Sequence, residues 1–444
     1  MLLCFAPRAR QTEVAPYIMV RHLFLLALSC TASARAFAQQ QNLIGYWHNW
    51  DDANAPYLEI IDVDPRYSVI DVAFAEPAIG TSHLMTFTPS GTAQATFSAQ
   101  IAALQAQGRK VLISMGGANA AVHLDSDQER AEFVASMLSI ITMYGFDGLD
   151  IDLEGSSVAI SGGSIASPVD APIIRLIDAI HSIADAFETT HGVPMMLTAA
   201  PETAYVQGGM SAFGSIWGAY LPLLDALRDR IDILHVQLYN SGSMYGIDGG
   251  IYTQGTADFI VSQTETVLQG FTTSGGSFAA FPPEKVAIGL PACPMAAGGG
   301  YVQPSVLIGA VNYLRGTGPQ PGSYARLSTY PSLRGLMTWS INWDAALGCA
   351  SAYEFADAFG DCFELSTGVP GNQGTVPAIS LIDDEGRLPR THSGRTLLVM
   401  DCRGRLITTF KAQSVEFRLP GLAGGLYNLI DRDGEAASLR LLVP

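Results

Sequence analysis

Short apolar runs return at intervals from residue 43 onward, and the stretches between them are patterned as helix. The runs are Leu43–Trp47, Val69–Pro77, Lys110–Gly117, Gly145–Glu154, Pro194–Glu202, Asp232–Asn240, Lys285–Ala292 and Leu333–Asp344. Near-continuous apolar strands are what a parallel sheet buried on both faces requires. Among the intervening segments, Ser126 followed by Glu129 has the form of a capping box, and Phe133, Met137 and Ile141 then recur at four-residue spacing. Pro172 opens a second pattern through Ile173, Ile177, Ile180, Ala184 and Phe187. Eight strands alternating with helices over about 300 residues predict an α/β fold, a (β/α)8 TIM barrel. An open doubly wound sheet would want a Gly-rich first turn, and no G-x-G-x-x-G follows the first run.

Around residues 366–378 the texture changes to a Ser, Thr, Gly and Pro mixture that reads as a linker. The expected organisation is an N-terminal extension with a signal peptide over 1–38, a catalytic barrel over 39–365, the linker, and a small all-β domain over 379–444. In that last segment Thr396–Met400, Leu406–Phe410, Ser414–Leu419, Leu426–Leu429 and Ser438–Val443 read as short strands of a β-sandwich. It contains no Trp, which counts against a carbohydrate-binding module of the stacking type.

Near the start, Met19-Val20-Arg21-His22, the apolar Leu23–Ser29 and Ala36-Phe37-Ala38 have the form of a secretory signal peptide cleaved near Ala38, with residues 1–18 an over-extended gene start. The apolar run is too short to span a bilayer, and no later stretch reaches about 18 uninterrupted apolar residues. A secreted, monomeric protein is expected. The charge balance, 24 Lys+Arg against 41 Asp+Glu, gives a net charge of -17, which opposes nucleic acid and anionic membranes. Outside the cytoplasm, Cys349 and Cys362 either close a short loop as a disulfide or remain buried thiols that do not meet. With no C-x-x-C, no H-E-x-x-H and eight scattered histidines, neither a metal nor another cofactor is expected.

The sharpest feature is Gly145-Phe146-Asp147-Gly148-Leu149-Asp150-Ile151-Asp152-Leu153-Glu154. Asp150, Asp152 and Glu154 are spaced by two and so share one face of a strand, while Leu149, Ile151 and Leu153 take the face toward the helices. In a barrel the acidic face points inward, where bare charge is costly. Glu154 then lies about 7 Å up the strand from Asp152, at the C-terminal rim where barrel active sites sit. Stacked carboxylates push their pKa values apart, leaving Glu154 free to act as a protonated general acid. A calcium loop would want oxygen ligands on a turn with intervening Gly, not Leu and Ile. Asp147 is out of phase with the inward face, which predicts structural support.

These residues match the D-x-x-D-x-D-x-E signature of glycoside hydrolase family 18, the chitinases and their relatives. Ser114-Met115-Gly116-Gly117 resembles the family's S-x-G-G motif. Gln237-Leu238-Tyr239-Asn240 ends the sixth run where the family places its catalytic tyrosine, and Trp339 falls on the eighth, where the family has a tryptophan flooring the cleavage subsite. The chain looks most like the compact bacterial secreted chitinases. The resemblance implies that Glu154 protonates the glycosidic oxygen and that the sugar's own 2-acetamido carbonyl oxygen is the nucleophile. It implies further that Asp152 orients the acetamido N–H with Asp150 holding Asp152, that Tyr239 donates to the acetamido oxygen, and that Gln237 and Asn240 line the same subsite. Chitin or its oligomers are the implied substrate.

Weaker signals surround this set. Tyr46, Trp47 and Trp50 end the first run, and Tyr205 and Tyr245 follow the fifth and sixth; aromatics there serve either as core or as sugar platforms. Gly298-Gly299-Gly300 reads as a flexible rim loop. In the C-terminal segment Val399–Arg405, Leu419–Tyr427 and Leu441-Leu442-Val443 resemble the β-sandwich sorting domains of type IX secretion cargo, which implies contact with a secretion machinery; a generic accessory β-domain fits equally. The expected activity is endo-acting chitin hydrolysis. The alternatives are an endo-β-N-acetylglucosaminidase on N-glycans and, from another class, a non-catalytic chitin-binding lectin, which would typically lack the terminal acid that Glu154 supplies.

Overall fold

The computed structural model describes residues 41–346, 351–363 and seven short strands between 378 and 443. Eight parallel strands build its centre: β1 (Asn42–His48), β2 (Tyr67–Pro77), β3 (Lys110–Gly117), β4 (Gly148–Leu153), β5 (Met196–Ala199), β6 (Ile233–Leu234), β7 (Ala287–Pro291) and β8 (Gly335–Trp339). They pair in the order β7-β8-β1-β2-β3-β4-β5-β6. Parallel bridges Leu234 to Val286 and Gln237 to Gly289 close the ring. The eight strands and their surrounding helices form the expected (β/α)8 barrel.

Period-two alternation divides the apolar residues into two separate cores. Ile44, Val69, Leu112, Ile233, Ala287 and Met337 fill the inside of the barrel. Leu43, Trp47, Ile70, Val72, Leu149, Ile151 and Leu153 face outward into the layer covered by helices. Those helices are α1 (Gln94–Ala106), α2 (Asp127–Tyr144), α3 (Ala171–His191), α4 (Leu221–Ala226), α5 (Ala257–Gln269), α6 (Pro304–Arg315), α7 (Ile341–Ala345) and α8 (Glu354–Phe363). The Ser126/Glu129 capping box forms at the start of α2, and Gly145 ends that helix in the left-handed region. Pro172 lies in the first turn of α3, and Ile173, Ile180, Ala184 and Phe187 are buried.

Two expected strands are shorter than their apolar runs. The run Leu333–Asp344 stops as a strand at Trp339, because the Ser340 hydroxyl accepts from the N–H of Trp343 and caps α7. The ladder of β6 covers two residues, after which the chain continues extended, with Gln237 N donating to Pro201 O and Leu238 N to Gly289 O. Helix α5 is unusual in being buried on all sides from Phe259 to Leu268. It carries Glu265, whose carboxylate accepts from the hydroxyls of Tyr324 (2.8 Å) and Tyr330 (2.5 Å) and from the N–H of Leu327 (2.7 Å). The loop after α6 is thereby strapped over α5.

Cys362 is a free, buried thiol, pushed up to about 12 by burial, whereas Cys293 is disulfide-bonded. A Cys349–Cys362 bridge is therefore excluded; Cys349 itself lies outside the described residues. The expected signal peptide and most of the linker also lie outside them. No described helix is long and apolar enough to cross a membrane. The C-terminal strands are β9 (Ala378–Ser380), β10 (Glu385–Arg387), β11 (Thr396–Asp401), β12 (Leu406–Lys411), β13 (Glu416–Arg418), β14 (Gly425–Asp431) and β15 (Leu439–Val443). They form a five-stranded sheet in the order β9-β15-β14-β11-β12 and a β10-β13 pair.

Candidate active site

The inward face of β4 carries Asp150 and Asp152, with Glu154 one residue beyond the strand's end. Asp150 is fully buried and accepts three hydroxyl hydrogen bonds, from Tyr46 (2.7 Å), Ser114 (2.7 Å) and Thr198 (2.6 Å). Three donors from β1, β3 and β5 compensate an anion that the barrel interior would otherwise disfavour. Asp152 is 1% exposed. Burial first, then the neighbouring Glu154 and Asp150 charges, raise its carboxyl well above the usual range. Glu154 is half-buried at the rim.

Gln237 ties the upper two acids together. Its Nε2 lies 2.8 Å from Asp152 Oδ1, 3.0 Å from Glu154 Oε1 and 2.9 Å from the Ala200 carbonyl. Tyr239 follows two residues later on the same face, 4% exposed. Its hydroxyl is raised well above the ordinary tyrosine value by burial and by the carboxylates it faces. Gly300 backs it: at φ +102°, a Cβ there would meet the Tyr239 Cα at 2.5 Å. The Gly298–Gly300 segment is thus a packed support, held also by Asn240 N donating to Gly299 O (3.1 Å), rather than the expected flexible loop.

Above the acids lies a cleft of about 430 Å3, lined by Trp50, Phe74, Glu76, Asn119, Glu154, Gln237, Tyr239, Asn240, Ala296 and Trp339. Its floor is aromatic. Trp339 and Phe74 lie almost parallel, with ring centroids 5.8 Å apart and planes 9° off, and Trp50 stacks on His48 at 4.4 Å. His48 is buried, which pushes it down to about 4, so it packs as a neutral ring near neutral pH.

The structure brings together Asp150, Asp152, Glu154, Gln237, Tyr239, Asn240, Trp339 and Trp50. Gly116 and Gly117 take positive φ, and a Cβ on Gly116 would strike the Asp152 carbonyl at 2.4 Å, so the S-x-G-G segment lets β3 and β4 approach. Asp147, just before β4, accepts from Lys110 Nζ (2.7 Å), Val111 N and Gln105 Nε2. Other aromatic assignments change. Trp47 is fully buried in the outer layer, its Nε1 donating to Leu58 O, and does not line the cleft. Tyr46 is buried beneath the floor and acts on Asp150, not as a platform. Tyr205 donates to Gly155 O (2.6 Å), and Tyr245 lies in a separate groove beside Phe271.

Phe74 and Glu76 in the cleft, and Glu202 beside Glu154, were not singled out from sequence. Phe74 and Glu76 reach the cleft because the β2–β3 register shifts between Val72 and Ala75, which reverses the inward phase at the strand's end. Glu202 continues the inward phase of Thr198 and Ala200, so alternation alone would have found it. It is in hydrogen-bond contact with Glu154, and burial followed by the Glu154 charge raises it to about 7. Its folded form binds the proton more tightly than the unfolded chain. The associated stability is full below about 4.5 and lost as pH rises to about 7. Calorimetric Tm should therefore fall across that window, and Glu202→Gln should flatten the fall by a few degrees.

A model of glycosyl hydrolases family 18 matches residues 42–305. The chain belongs to this family. Among family 18 relatives, it is 49% identical over 310 residues to Chitinase Chi52 of Paenibacillus xylanexedens and 48% identical over 311 residues to Chitinase D of Niallia circulans. Each match covers 68% of this chain and 58% of the relative, so the chain spans somewhat over half of these longer proteins. The crystal structure of a family GH18 chitinase from Chromobacterium violaceum is 35% identical, with a TM-score of 0.65, over 73% of this chain and 83% of that one. The family 18 match encloses three of the four motifs; the fourth, Trp339, lies beyond its end on β8.

Proposed function

We propose that this family 18 chain is an endo-acting chitinase that hydrolyses β-1,4 bonds between N-acetylglucosamine units with retention of configuration. The observation that carries the reading is the burial gradient along β4. Glu154 opens onto the cleft, whereas Asp152 and Asp150 lie behind it on the same strand, nearly or wholly without exposure. Asp152 and Asp150 are enclosed behind Glu154, which accords with the substrate-assisted mechanism that family 18 membership implies, in which the attacking oxygen is that of the substrate's own acetamido group.

Glu154 delivers its proton to the glycosidic oxygen. Asp152 accepts the acetamido N–H and balances the oxazolinium charge, with Asp150 fixed below it by Tyr46, Ser114 and Thr198. Tyr239 donates to the acetamido carbonyl oxygen. Gln237, through its bonds to both acids, holds their spacing, and Asn240 and the Trp50, Phe74 and Trp339 rings seat the pyranose faces. The reaction needs no cofactor or metal. The names of the similar proteins favour chitin over N-glycans as substrate. The chain acts as a monomer, exported through its N-terminal signal and, in the type IX reading, sorted by its C-terminal strands.

Incubation with chitin oligomers and with a high-mannose glycopeptide, followed by product analysis, tests the assignment: the oligomers should be cut, and cleavage of the glycopeptide alone overturns it. The endo mode has its own test. Between β7 and β8 lie a short loop carrying Ala296 and Gly298–Gly300, then α6 and the loop strapped by Glu265, with no further element among the described residues, so one wall of the groove is low and few contacts hold a chain between cuts. Early products from a long soluble chitin derivative should scatter in length. Dimer as the dominant product from the first time points, with viscosity hardly falling, would contradict the open groove.

A further inference from the structure

The layer of the barrel interior that holds Asp150 is polar almost all the way round. Tyr46 of β1, Asp71 of β2, Ser114 of β3, Asp150 of β4, Thr198 of β5 and His235 just beyond β6 are all buried. Branched apolar side chains are the usual filling of such layers, and the proposed chemistry uses four of these six. Asp71 and His235 are left over. Both are fully buried, and Asp71 Oδ1 and Oδ2 and His235 Nδ1 and Nε2 all lack a hydrogen-bond partner. His235 Nε2 sits between two carboxylates, 3.4 Å from Asp150 Oδ1 and 3.8 Å from Asp71 Oδ2.

An ionised Asp71 beside a neutral imidazole would be an uncompensated buried charge facing a second anion, Asp150. The charges acting on the two residues bring no cation to the pair: Asp150 is the one charged neighbour that moves either. Arg109, the buried guanidinium among the described residues, is spent on the carbonyls of Tyr67, Val63 and Asp64. Tyr46, which feels the charges of Asp71, Asp150 and Asp152, is the titratable group of β1 beside the pair, and Asp152 lies above Asp150 on β4. Burial, with the Asp150 charge, raises Asp71 well above the carboxylate range, and burial lowers His235 against the pull of Asp150. Both directions place one proton within the pair, resting on Asp71.

We propose that Asp71 and His235 are a positioning pair that holds one mobile proton beneath the catalytic carboxylates and stabilises the anion of Asp150. This rests on the hydrolytic reading of the β4 acids. As positive charge develops on the oxazolinium ring, Asp152 must stay anionic above an anionic Asp150, and the two repel. The relief is an internal transfer: the O–H bond of Asp71 breaks, an N–H bond forms at His235 Nε2, and the ring keeps its Nδ1 proton. Asp71 becomes the anion, the imidazolium comes to lie against Asp150, and no atom leaves the pair.

The test is the pH profile of kcat/KM on chitooligosaccharides for Asp71→Asn, His235→Gln and the double variant. Each single change should move the acid limb upward by about one pH unit. The double variant should move it no further than either single one, because the two residues act as one device. An unmoved limb, or single shifts that add in the double variant, overturns the proposal. So does one equivalent of tightly bound metal in the purified protein that Asp71→Asn loses, since an ion would then occupy the proton's place. Imidazole 15N NMR of the full chain, with His235 assigned by its loss in His235→Gln, reads the pair without activity. The wild-type ring should stay neutral from about pH 5 to 9, unlike a free imidazole near 6.5, and a ring that titrates in that range overturns the pair. A wild-type chain that cuts no chitooligosaccharide contradicts the proposed function instead, leaving the NMR result to decide the pair.

Discussion

Replacing Glu154 by Gln should lower kcat on chitooligosaccharides by about 10²–10⁴ while leaving their binding largely intact. The amide keeps the shape of the carboxyl, and its oxygen can still accept from Gln237 Nε2, which now lies 3.0 Å from Glu154 Oε1. What disappears is the proton donor at the rim. The aromatic floor and Tyr239 are untouched, so calorimetric titration with an oligomer should give an affinity near that of the unaltered protein. Turnover within about tenfold of the original would remove Glu154 from the role of general acid. Weakened binding with unchanged turnover would make it a substrate contact instead.

A fully deacetylated chitosan oligomer should survive incubation intact. In the proposed mechanism the anomeric carbon is attacked by the substrate's own acetamido oxygen, and Asp152 and Asp150 stay enclosed behind Glu154. Without the acetamido oxygen there is nothing to form the oxazolinium ring, and Tyr239 and Asp152 lose the groups they orient. Failure to bind would not explain the result, since a polycation is drawn toward a chain of net charge -17. Mass spectrometry of the mixture reads the outcome, with the acetylated oligomer as the positive control. Efficient cleavage of chitosan, or an inverted anomer in the first NMR spectra of the acetylated products, would rule out substrate assistance.

Strand alternation alone makes most of the candidate site legible in the sequence. Asp150, Asp152 and Glu154 announce themselves because charge at every second position of an apolar strand has no packing explanation. The same rule, applied to β1, separates Tyr46 from Trp47: neighbours on a strand face opposite ways, so one reaches Asp150 and the other packs against Phe97 and Tyr57. Treating both alike, as core or sugar platform, leaves that phase unused. Phe74 and Glu76 were hidden for a different reason, since a register shift inside β2 leaves no distinctive residue pattern. Asp71 and His235 each stand alone in an apolar run, and only closure of the barrel brings β2, β4 and β6 around one point. The disulfide involved Cys293 rather than the nearer pair because proximity in sequence says nothing about which side of a barrel a loop returns to.

The two-sided character of β4 also bears on which changes of length this barrel can absorb. Aspartates face one way and leucine or isoleucine the other, with β3 paired to it residue by residue from Leu112 opposite Gly148 to Gly117 opposite Leu153. Deleting Leu149, the single residue between Gly148 and Asp150, would turn both aspartates toward the helices and swing Ile151 and Leu153 to the inner face. Substitutions at these positions remove one group each; an indel exchanges the chemistry of the two faces at once. By the same argument an insertion or deletion should be tolerated best in an exposed stretch such as residues 319–323 between α6 and β8.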